Sequence, residues 1–273
     1  MMLYPSFGRI RGAVPARILA RRTSDRILCG RKAKGGSMHY SPILGMATAA
    51  FEVVVAVWAL SGPGRKDIVR ITSAILLLLA GYQMTEVLIC AADPSYGFLP
   101  RLAFVDVTWL PPLGLLLCSR LFAPRSRFVT GASYAMLAAA GGIMIWIAAD
   151  PGFVSASVCS TVFARYSHAM PRFQAYAGFY WLGLLGMVGF SAYGAKAAPD
   201  PNGRRLFAEL RTGSVGFIVP SLLTTWFVPT ATGALPSIMC HFALVLAIFL
   251  TRMVAFERKL AVEPDSPRVP QVT

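Results

Sequence analysis

Seven apolar stretches, each long enough to cross a lipid bilayer, occupy almost everything between Pro42 and Val254. A hydrocarbon core about 30 Å thick needs roughly 20 apolar residues of helix, at about 1.5 Å of rise per residue. The stretches run approximately 42–61, 68–91, 101–122, 129–149, 174–195, 213–229 and 233–254. Short segments holding most of the Arg, Lys, Pro and Gly separate them. The chain is 56% hydrophobic and only 14% charged, outside the usual balance of a soluble domain. The expected fold is all-α, a polytopic seven-transmembrane helix bundle, multi-pass in the plasma (cytoplasmic) membrane.

Lys and Arg near helix ends resist translocation and mark the loops that stay inside. Arg65, Lys66 and Arg70 follow stretch 1, and Arg120, Arg125 and Arg127 follow stretch 3. Lys196, Arg204, Arg205 and Arg211 follow stretch 5, and Arg252, Arg258 and Lys259 follow stretch 7. The alternate segments are poorer in charge, which places the N-terminus outside and the C-terminus inside. Tyr96, Phe98, Phe153, Tyr166, Phe173 and Tyr176 are expected to form an interfacial belt at the outer ends.

Residues 1–37 contradict this pattern, with nine basic groups against Asp25 alone. They lack the continuous apolar run of a signal peptide, although their Arg-rich composition resembles a mitochondrial presequence. A natural start at Met38 would remove the conflict. Lys34 to Ser37 can be back-translated to a ribosome-binding sequence just upstream, and the net charge would fall from +14 to +6. The expected organisation is a disordered basic leader over 1–37, a membrane domain over 38–260 and a disordered cytoplasmic tail over 261–273. The basic balance then belongs to the leader and to topology, and does not indicate a nucleic-acid partner.

Two of the five Cys residues fall on the outer side, Cys90 at the end of stretch 2 and Cys159 in the long loop after stretch 4. Disulfides persist in such oxidising surroundings. A Cys90–Cys159 bridge would tie the 150–173 loop over the bundle; the alternative is two unpaired thiols in apolar sites. Small residues (Ala138 to Gly142, and Gly183, Gly186 and Gly189) suit close helix packing. Pro111, Pro112 and Pro220 are expected to interrupt their helices.

Ionisable side chains within the spans are costly, and so informative. Glu86, Asp106 and His241 come from three different stretches at comparable depth in the outer half, with Glu52 nearer the midplane. Gln83 shares a helix face with Glu86. Trp109, Tyr180, Trp181 and Thr225 are placed to complete an aromatic-walled polar cavity open to the outside, the usual form of a small-molecule site. The same carboxylates would equally serve as structural clamps, hydrogen-bonded to neighbouring helices. Neither a metal-ligand spacing nor a Ser/His/Asp pattern is present, so neither a catalytic residue nor a cofactor is expected.

The run from Arg101 through Val105-Asp106-Val107-Thr108-Trp109-Leu110-Pro111-Pro112 to Leu117 resembles the third helix of the seven-helix sensor regions at the N-terminus of some bacterial histidine kinases. The chain as a whole is similar to an uncharacterised bacterial family of stand-alone seven-transmembrane proteins. This resemblance implies a sensor without its own kinase. Three functions are compatible with the residues. The first is a receptor-like sensor, binding a small ligand from the outer side and signalling through a cytoplasmic or membrane partner. The second is a small-molecule or proton-coupled transporter, and the third a structural accessory protein. Apolar inner halves of stretches 1, 2, 4 and 7 favour a blind outer cavity over a path through the membrane.

Overall fold

A chain inside lipid must satisfy its backbone N–H and C=O groups internally, so apolar runs of this length fold as helices. The computed structural model describes residues 41–91, 97–160, 163–168, 170–228 and 233–262. The expected leader, the alternative start at Met38 and the tail from 263 lie outside these residues. The elements are α1 (Ile43–Leu60), α2 (Lys66–Ala91), α3 (Phe98–Val107), α4 (Leu110–Leu121), α5 (Arg127–Ala149), β1 (Val154–Cys159), β2 (Ala164–His168), α6 (Arg172–Ala197), α7 (Pro201–Phe227) and α8 (Leu235–Val262). With α3 and α4 forming one span, seven helical spans among the described residues are long and apolar enough to cross a membrane. The protein is an all-α multi-pass membrane protein, with lipid as its surroundings.

Most neighbouring helices pack in chain order, but α6 packs against α4 more than against α5, and α8 returns against α1 and α2. Several glycines set the spacing. An added Cβ at Gly183 would strike Pro111, and one at Gly194 would strike Phe207. Gly141, Gly142 and Gly189 do not take part, because each faces open space. Only one side of α5 and α6 packs inward, so these small residues lie on the other.

One interruption is as expected, and three features depart from the sequence expectation. The third span is broken at Thr108–Trp109, because Pro111 and Pro112 bring no N–H to the carbonyls one turn back. Pro220 does not interrupt α7, which runs through it. That helix also begins at Pro201, well before the apolar stretch at 213. The Asp200 side chain caps it by accepting from Gly203 N at 2.6 Å, and Pro201 suits the first helical turn. Finally, the 150–173 segment contains an antiparallel hairpin rather than an unstructured loop, with Ser157 opposite Tyr166 and Cys159 opposite Ala164.

The two ends of the bundle differ. One carries the hairpin, bridged to α2 by a Cys90–Cys159 disulfide with Cα atoms 5.7 Å apart. The other carries the ion pairs Arg65–Glu257, Arg125–Asp67 and Arg252–Glu209. There Arg258 also sits over the Trp58 ring and Arg205 over Phe256.

Candidate functional site

The hairpin is held to the bundle by alternation. In β2, Ala164 and Tyr166 turn inward and are buried, whereas Arg165 and Ser167 turn outward. Tyr166 places its hydroxyl 3.2 Å from that of Tyr82 on α2, and its N–H donates to Gly233 O at 3.1 Å. Ala164 N donates to Ser237 Oγ on α8 at 3.1 Å, and Ser237 Oγ donates in turn to Glu86 Oε1 on α2 at 2.6 Å. One hydroxyl therefore joins the hairpin, α8 and a buried carboxyl group.

The polar side chains expected from the sequence converge around this point. Gln83, one turn before Glu86, donates to Cys240 O at 2.9 Å. His241 Nδ1 lies 2.8 Å from Ser237 O, and since a carbonyl only accepts, that nitrogen carries the proton. Glu86 and His241 are within electrostatic reach of each other. Asp106 packs against Gly81, where an added Cβ would meet its Oδ1 at 3.1 Å. Glu52 is fully buried on α1, with neither carboxyl oxygen hydrogen-bonded. Glu86 Oε2 and Asp106 Oδ2 are likewise buried without a hydrogen-bond partner. The three carboxyls, from α1, α2 and α3, all lie within electrostatic reach of the buried Cys240 thiol on α8.

Aromatic rings fill the space beside the carboxyls. Phe104 is the hub, with Phe153, Tyr166, His168 and Tyr176 edge-on at centroid distances of 5.3–5.5 Å. His168 stacks on Phe173 at 3.7 Å. Burial lowers its pKa to about 4, because the charged imidazolium loses hydration that these rings do not replace. Of the expected interfacial belt, Phe153, Tyr166 and Tyr176 are instead buried in this cluster, and Phe98 is exposed. Tyr96 lies outside the described residues. The hairpin supplies the reason, since it covers these rings and removes them from the interface.

The remaining expected residues are less involved. Trp109, Tyr180 and Trp181 are half-buried. Thr225 donates its hydroxyl to Ser221 O one turn back in its own helix. The expected open cavity is instead covered, because the hairpin reaches Ser237 beside Glu86 through Ala164 and reaches Tyr82 through Tyr166. Deeper in the bundle, a cavity of about 20 Å³ lies among Ile75, Leu79, Leu110, Leu184 and Leu246, bordered by Tyr180. It is large enough for about one water, but its walls are apolar. A groove of about 400 Å³ opens at the opposite end, between Phe122, Pro124, Tyr193, Pro199 and Phe207. Among the described residues, no group of three His, Cys, Asp or Glu side chains is placed to hold a metal ion.

Sequence reasoning missed Ser237 and Cys240, and placed Tyr166 and Tyr176 in the interfacial belt rather than at the site. Ser237 lies one turn before His241 on the same face, a signal that was available. Tyr166 stands in an Ala-Arg-Tyr-Ser alternation typical of a half-buried strand. No protein-family model matches the chain, and no curated protein is similar to it in sequence.

Proposed function

We propose that this is a receptor-like membrane protein, in which a small ligand reaches the hairpin-covered polar cluster and α8 carries the response to the opposite end. The carrying observation is the hydrogen-bond chain from Ala164 N through Ser237 Oγ to Glu86 Oε1. A group that competes for Glu86 Oε1, or draws the carboxyl away from it, would disturb Ser237, and with it both the hairpin and α8. The same helix carries Arg252 and Glu257 in the ion pairs at its other end. A displacement of α8 at Ser237 would therefore be felt where a signalling partner could dock.

In this reading the hairpin end is outside, where a disulfide persists, and the ion-pair end, with its surplus of Arg and Lys, is in the cytoplasm. The likeness of residues 101–117 to kinase-linked sensor regions points the same way. A transport path finds less support, because the layer below the cluster consists of Leu79, Leu110, Leu184 and Leu246 around the small apolar cavity.

Hydrogen–deuterium exchange on the purified protein tests the relay. Ser237→Ala should raise exchange in the hairpin and also in the distant 61–66 and 255–262 segments. A rise confined to the hairpin would refute transmission along α8.

A further inference from the structure

Resting on the receptor reading, we propose that the covered cluster takes a small aromatic amine in its protonated form, with the ammonium on Glu86 and the ring in the space that Tyr166 now fills. Charge comes first. Glu52, Glu86 and Asp106 bring three carboxyls to one buried region, and each has at least one buried oxygen without a hydrogen-bond partner. The nearby donors are already committed: Gln83 Nε2 to Cys240 O, His241 Nδ1 to Ser237 O, and the Ser237 hydroxyl to Glu86 Oε1. Among the described residues, Arg101 donates to Ala148 O and Arg172 pairs with Asp150, so neither cation serves the cluster. The site thus has acceptors to spare. A ligand bringing N–H donors and positive charge complements these acceptors, whereas a carboxylate or phosphate brings acceptors alone.

A second observation is independent of the carboxyls. Tyr176 is 4% exposed, and its hydroxyl lies near that of Thr108 without making a hydrogen bond of good geometry. It offers a ligand one more polar contact from α6. Shape is set by the plug. The Tyr166 hydroxyl lies 3.2 Å from that of Tyr82, and its ring stands nearly perpendicular to that of Phe104 at a centroid distance of 5.3 Å. A ligand ring entering there would replace an aromatic ring with another, and nearby ring faces also favour a cation.

Thermal unfolding of the full chain in detergent tests this with three probes of similar shape: phenethylammonium, 2-phenylethanol and 3-phenylpropionate. Only phenethylammonium should raise the melting temperature. Glu86→Gln should weaken its apparent affinity roughly ten- to a hundredfold, the effect of losing one charge-assisted hydrogen bond. Tyr166→Ala, which vacates the ring space but leaves the carboxyls, should strengthen it. An equal response to 2-phenylethanol, or an ammonium response unchanged in Glu86→Gln, would overturn the proposal. A Glu86-dependent preference for 3-phenylpropionate would overturn the amine class while leaving the receptor reading standing. Should no probe act on either the wild type or Tyr166→Ala, the amine proposal fails, while the exchange experiment on Ser237→Ala still decides the receptor reading separately.

Discussion

Ser237 on α8 and Glu86 on α2 stand 151 positions apart in the chain and meet through a 2.6 Å hydrogen bond in the buried interior. Because Ser237 also accepts from Ala164 N, its removal would strand two buried polar groups. Ser237→Ala is expected to destabilise the protein by about 1–3 kcal/mol, the usual cost of leaving such groups unsatisfied. Denaturant unfolding in detergent measures it, and an unchanged midpoint would show that water replaces the hydroxyl.

At the other end, Arg65 grips Glu257 with both Nε and Nη2, at 2.7 and 2.9 Å, and its backbone N–H adds a third contact at 3.2 Å. The Arg252–Glu209 pair has a single 2.9 Å contact, and its Arg side chain is 59% exposed. Glu257→Gln should therefore cost about 1–3 kcal/mol. Glu209→Gln should cost less than about 1 kcal/mol, because solvent screens the exposed partner. The ranking in a common unfolding assay is the test, and a reversed order would contradict it.

The hairpin should loosen in acid. His168 has its pKa lowered to about 4 by burial, against an ordinary value near 6.5. Between these limits the opened hairpin binds a proton that the docked one does not. The docking contribution is thus complete above about pH 6.5 and is lost as pH falls towards 4. The charged groups of the surrounding elements include Asp150 and Arg172, paired with each other, Arg101 on α3, which donates to Ala148 O, and Arg165 on the outward side of β2. The protection of β2 amides, taken relative to the intrinsic exchange rate at each pH, should fall over that window in the wild type and lose this dependence in His168→Phe. A wild-type profile flat from pH 7 to 4 would exclude the effect.

Membrane orientation is open to direct labelling. Cysteines introduced at Lys66, Arg125 and Arg204 should react with an impermeant maleimide only after the membrane is permeabilised. Reaction in intact cells would reverse the assigned orientation.

The seven spans were legible because the bilayer imposes one length and one composition on each, and local sequence answers both demands. Glu52, Glu86, Asp106 and His241 stood out for the same reason, as polar residues in apolar runs. Their surroundings were not legible. Whether Tyr166 lies at the interface or plugs the bundle depends on the hairpin, and the hairpin depends on β1 and β2 pairing and on Cys90 meeting Cys159. Likewise nothing local to Ser237 indicates that Glu86 and Ala164 will reach it from two other elements. Hydropathy is a property of each segment alone, so the spans and their polar residues could be read along the chain. Mutual placement is a property of packing between distant segments, so the gathering of these residues into one covered cluster is visible only in the fold.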